Sequence, residues 1–206
     1  MDLVQPIAHF VAMHHLDAVL SPAHFVDRID DPWLALDDVL TNDLRGALDA
    51  IGLPDVLVYR PLYISSRLLS LRSRAASIIA AQLESSPADG VWLGVHPFGT
   101  SAGPLAIRRY IEFCQSLHRS NLPLVGLHTG TVGVLLMALG ALSGIESGVT
   151  DGEKFDVDAM TRALRQPRKG EKVIGSTPRV YLQTIGAFVT TKEAEAFFGV
   201  RGTTGP

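Results

Sequence analysis

Five short apolar runs in the 206-residue chain stop at, or just before, a group that can do chemistry. DAVL (17–20) leads to Ser21 and His24, and VLVY (56–59) leads to Arg60 and Tyr63. VWLGV (91–95) leads to His96, LVGL (124–127) to His128 and Thr129, and SGI (143–145) to Glu146. Imidazoles change charge near neutral pH, so His96 and His128 can give and take protons. Glu146 can serve as a base or orient a histidine. The guanidinium of Arg60 can grip a carboxylate or phosphate with two parallel hydrogen bonds. The turn Gly130, Thr131, Val132, Gly133 opens an apolar segment and offers backbone N–H groups of the kind that attract anions at a helix start. The expectation is that His96, His128 and Glu146 carry catalysis. Arg60, Ser21, Tyr63, Thr129, Gly130 and Gly133 would hold a small polar or anionic substrate.

The elements that must position these groups alternate. Between the runs lie segments with helical periodicity. LRGALDAIG (44–52) ends in glycine, and 66–86 carries Leu68, Leu69, Leu71, Ala75, Ile78, Ile79 and Leu83 on one broad face. Residues 103–121 repeat the pattern, with Pro104 suited to a first turn, and 132–142 are apolar all round, which predicts a buried helix. A further run, VYL (180–182), lies near the end of the chain. Strand, helix, strand at this spacing means βαβ units and a parallel sheet, since parallel neighbours need a crossover of this length. No glycine-rich fingerprint follows the first run and no GxxxxGK[ST] occurs, which turns the reading from a nucleotide-binding doubly wound sheet towards a barrel. The fold class expected is α/β, with repeated βα units forming a TIM-type barrel. A full eight-unit barrel usually takes about 250 residues, so this one is read as incomplete. One barrel-like domain over 1–200 and a flexible tail over 201–206 are expected. Carboxyl ends of parallel strands carry the sites in such folds, so the polar groups above would share one rim.

Each group also has a purely structural reading. Histidines after strands often satisfy local hydrogen bonds, Glu146 could cap a turn, and Arg60 could pair with Asp17 or Asp55. Asp37 and Asp38 read as a solvated helix face, and Cys114 as helix packing. His14 and His15 lack a carboxylate at helical spacing, so no metal site is expected. The sequence names no cofactor, and GxSxG, HExxH and CxxC are absent.

With 18 basic and 21 acidic residues the formal net charge is −3, which gives no broad attraction to nucleic acid or anionic membrane. A nucleic-acid contact is left to a local group at Arg165, Arg168, Lys169 and Lys172, more simply read as a solvated loop. One cysteine rules out an internal disulfide and suits a reducing, cytoplasmic setting. No basic region precedes an apolar core at the N-terminus, so no signal peptide is read. Residues 123–145 are long enough to cross a bilayer, but Pro123, the glycines and His128 divide them, and no membrane association is expected.

ALGALSGIESG (138–148) resembles the strand-and-glycine loop of tRNA-guanine transglycosylases, which are TIM barrels, and YLQTIGAF with AEAFFGVRG is similar to sequence that closes bacterial barrel enzymes. The resemblance implies a base-recognising loop from Gly144 to Gly148. Two departures count against the activity: that family's zinc motif needs several cysteines, and the sequence around its nucleophilic aspartate is missing here.

Three functions follow as expectations. The first is a barrel-type enzyme, of lyase, isomerase or glycosyl-transfer type, acting on a small molecule with His and Glu acid–base chemistry. The second is a non-catalytic shortened-barrel subunit or ligand-binding protein, with a homo-oligomer covering the open barrel edge. The third is a transglycosylase-like protein acting on nucleobases.

Overall fold

Residues 3–70, 74–146, 154–163, 179–182 and 187–199 are described by a computed structural model. The chain divides into two compact units, one of Met1–Gly148 with Gly152–Val157 and one of Val149–Asp151 with Asp158–Pro206. In the first unit the elements run α1 (Val4–His14), β1 (Ala18–Leu20), β2 (Phe25–Val26), α2 (Trp33–Ala50), β3 (Leu57–Ser65), α3 (Ala75–Leu83), β4 (Gly90–His96), β5 (Phe98–Gly99), α4 (Pro104–Leu117), β6 (Leu124–Leu127), α5 (Thr131–Ala138), β7 (Gly144–Glu146) and β8 (Lys154–Phe155). Strands β1, β3, β4, β6 and β7 pair in that order, all parallel, and β2 pairs with β3 beyond β1. The five parallel strands form a strongly curled half-barrel with helices, the architecture of an incomplete TIM-type barrel.

Alternation along β3 and β4 sorts side chains between two faces. Val58, Leu62, Ile64, Val91, Leu93 and Val95 are buried in the cores beneath the helices. The opposite parity, Tyr59, Tyr63, Trp92 and His96, is half-buried, and Tyr59 meets Trp92 edge to face at 5.6 Å. Removing the helix-facing set from water is the main stabilising term, at about 25 cal/mol per Å² of apolar area.

The run 56–59 continues much further than its four apolar residues suggest, because β3 passes straight through Arg60 and Pro61 to Ser65. Proline has no N–H to give a neighbouring strand and belongs where none is needed. Leu57 donates to Asp17 and Tyr59 accepts from Ser21, so odd-numbered residues of β3 address the β1 side. There β1 covers Leu57, Val58 and Tyr59, and β2 covers Tyr63 and Ile64. Pro61 therefore faces the interruption between them, residues 21–24.

Other sequence expectations are corrected. The helix expected over 66–86 is a 3₁₀ turn at Ser66–Leu69 followed by α3. The helix at 132–142, expected to be buried, exposes Val134 at 61% and Leu139 at 55% and buries only Gly133 and Leu136 within α5. Residues 123–145 form β6, α5 and the start of β7, and no helix among the described residues is long and apolar enough to cross a membrane.

The second unit contains β9 (Arg179–Leu182), β10 (Ala187–Thr190) and α7 (Thr191–Gly199), after α6 (Val157–Ala163), which starts at the last residue of the first. The run 180–182 lies in β9 and pairs antiparallel with β10 in its own two-stranded sheet, rather than joining the parallel one. Thr190 and Glu193 exchange hydrogen bonds at the start of α7, a capping box. The basic group from Arg165 to Lys172, the tail 201–206 and most of the loop after Glu146 lie outside the described residues.

Candidate functional site

Strand order brings part of the expected rim together. Tyr63 on β3 and Glu146 on β7 stand on the half-barrel sheet, and His128 directly follows β6. The backbone N–H of His128, a residue with φ of 50°, donates to the Glu146 carbonyl at 3.0 Å. Its Nδ1 is 3.8 Å from Oε2 of Glu146. That carboxylate oxygen is withdrawn from solvent and, among the described residues, has no hydrogen-bond partner. A buried acceptor left open is costly, so it marks a place where a donor belongs.

Phe155 on β8 covers this group. It is buried, stacks on Tyr63 at 5.4 Å, and lies nearly parallel to His128 at 6.5 Å. Gly94 on β4 makes room, since a Cβ there would meet both Phe155 and Tyr63 at 3.0 Å. The Tyr63 phenol is held above its ordinary pKa, first by burial and then by the charge of Glu146. A phenol that keeps its proton can donate a hydrogen bond to negative or electron-rich atoms.

His96 closes the neighbouring part of the rim. Its Nδ1 accepts from the backbone N–H of Val157 at 3.1 Å and lies 3.9 Å from Asp156. Its ring meets Phe25 edge to face at 5.8 Å. Asp156 is paired with Lys154 at 2.7 Å.

The remaining expected residues are placed elsewhere. Arg60 sits in the middle of β3, with parity opposite to Tyr63, and is only 1% exposed. It donates to Asp38 at 2.7 Å and to the Leu34 carbonyl at 3.0 Å, both on α2. Its partner is thus Asp38, not Asp17 or Asp55. Burial lowers its pKa, opposed by the charges of Asp38 and Asp37. Ser21 is buried, and its hydroxyl shares a 2.9 Å hydrogen bond with Thr41 of α2. Thr129 is 1% exposed and its hydroxyl lies against Gly133, where a Cβ would collide with it. Gly130, with φ of 57°, is the N-cap residue just before α5, and a side chain there would run into Thr100. The Gly133 N–H is already used by the Gly130 carbonyl at 3.0 Å. Gly144 lies in β7 opposite Val125.

Two residues matter that sequence reasoning passed over. Phe155 gave no signal, because nothing in KFD marks it as the cover of a rim. Asp37 was read as solvated, yet it is buried and holds His24 through both of its oxygens. The signal available was the adjacency of SPAH to a strand end and a following DD.

Comparison of the chain with protein-family models, curated proteins and solved structures finds no match.

Proposed function

We propose that the first unit is an acid–base enzyme or ligand-binding module whose site lies where Tyr63, His128 and Glu146 meet, under Phe155, with His96 beside them. The observation that carries this reading is the open, solvent-shielded Oε2 of Glu146, next to an imidazole and a phenol that keeps its proton. Glu146 takes a proton or a hydrogen bond from the ligand, His128 relays protons, and Tyr63 donates. With Arg60 committed to α2, a polar ligand bearing donors fits better than an anion. Lyase, isomerase and glycosyl-transfer chemistry all use such groups.

The test is a thermal-shift screen of polar metabolites on the wild-type protein and on Glu146→Gln. A compound that raises Tm in the first, and binds about 10-fold more weakly to the second, supports the site, since a hydrogen bond to a charged group is worth about 1.5–3 kcal/mol. A hit that binds both equally overturns the assignment.

A second reading, a shortened-barrel subunit, is favoured by the uncovered surface of α5 beside β7. In it a second copy of the chain covers that edge. The base-recognising reading of Gly144 has no support beyond the resemblance.

A further inference from the structure

The interruption between β1 and β2 holds a histidine whose ring and backbone are both bonded to one carboxylate. His24 Nδ1 lies 2.6 Å from Oδ1 of Asp37, and the backbone N–H of the same histidine donates to Oδ2 at 3.0 Å. One carboxylate thus fixes both the main chain and the ring. The Asp37 side chain is 4% exposed while that of His24 is 37% exposed, so the pair runs from the interior to solvent. The ring is stacked on Trp33 at 4.5 Å with planes 16° apart. Asp37 is itself held: its carbonyl accepts from Thr41, whose hydroxyl is bonded to Ser21.

An ionised carboxylate on Nδ1 requires a proton there, which leaves the lone pair on Nε2. Among the described residues nothing hydrogen-bonds to Nε2. Carboxylate, oriented imidazole and an open outer nitrogen are what a general base needs. The site is separate from the one proposed above: His24 packs on α2, whereas the next residue, Phe25, turns towards His96.

The nearby charges restrict the ligand. Arg28 stands beside Asp30, Arg67 beside Asp27, and Arg60 is buried against Asp38, so each nearby cation already has a carboxylate next to it. Trp33 is 42% exposed and offers an apolar surface beside the imidazole. Both features favour an uncharged molecule.

We propose that His24, positioned by Asp37, activates water against a neutral carboxylic ester resting on Trp33. Nε2 takes a proton from water as the water oxygen forms a bond to the carbonyl carbon. The carbon–oxygen bond to the alcohol then breaks, and the alcohol leaves with the proton returned by the imidazolium. His24 is the catalytic residue and Asp37 a positioning residue.

The probe is p-nitrophenyl acetate with the full chain, followed across pH in light and heavy water. The wild-type protein is expected to exceed His24→Gln by at least ~10-fold, within the usual range for a positioned base, with a slower rate in heavy water. His9→Gln, an exposed change on α1, serves as control and is expected to match wild type. Asp37→Asn is expected to shift the pH profile as well as lower the rate, which loss of packing alone would not do. If that variant unfolds, His24→Ala with added imidazole takes its place, and saturable recovery of the rate supports the proposal. Equal rates for wild type and His24→Gln, or no recovery by imidazole, overturn it.

Discussion

Tyr63 keeps its phenol proton more firmly than a free tyrosine does, because its ring is drawn from water and Glu146 stands near it. In the unfolded chain the phenol ionises near pH ~10, and in the folded chain later. Between these points the unfolded chain releases the proton first, so this contribution is complete below pH ~10 and is lost as pH rises through the folded value. Tyr110 and Cys114, both pushed up by burial, act in the same direction. Tm is therefore expected to fall with increasing slope above about pH 9, and Tyr63→Phe to reduce that slope. Glu146→Gln is expected to bring the Tyr63 titration closer to its ordinary value, as read by ultraviolet difference absorbance. A second residue-scale expectation concerns Arg60. Arg60→Met removes the cation between β3 and α2 and leaves Asp38 without its partner. A loss of about 3 kcal/mol in urea denaturation is expected, at the lower end for a broken buried pair because Asp38 keeps some contact with water.

At the scale of elements, glycines set how closely parts approach. Gly130 combines a positive φ with a Thr100 side chain where its Cβ would be. Gly130→Ala is expected to cost about 1–3 kcal/mol, measurable by chemical denaturation. Gly94→Val is expected to push Phe155 off Tyr63, seen as lost ring-current shifts at Tyr63 and about 1–3 kcal/mol of stability. Element phase was legible in the sequence: runs at 17–20, 91–95, 124–127 and around Ile145 became parallel strands, and Pro104 began α4 as its fixed φ suggests. Lengths were less legible. Arg60 and Pro61 looked like a loop, and only the gap in the neighbouring strand explains how β3 carries a proline without losing a partner. That misplaced end put Arg60 at the rim, whereas one residue of parity sends it to the opposite face from Tyr63. The approach of His128 to Glu146 could be read because one directly follows β6 and the other ends β7, with no such ambiguity. The His24–Asp37 contact joins two elements, and no local pattern encodes it.

At the largest scale, the parallel sheet of the first unit has, among the described residues, two edges, β1 with β2 on one side and β7 on the other. Open edges favour pairing with other chains unless something covers them. The apolar α5 next to β7 leaves Val134 largely exposed, and Leu139 just beyond its end is exposed as well. If a second copy covers this edge, light scattering will give a dimer mass that Val134→Lys shifts to monomer; a monomer at all concentrations ends that reading. The interrupted strand has a consequence in time rather than in space. β3 is bonded to β4 without a break from Tyr59 to Ser65, but its other neighbour holds on in two short lengths. Amide hydrogens of residues 18–26 should then exchange with solvent through small local openings, while those between β3 and β4 wait for global unfolding. His24 would ride on the part of the sheet that breathes most easily.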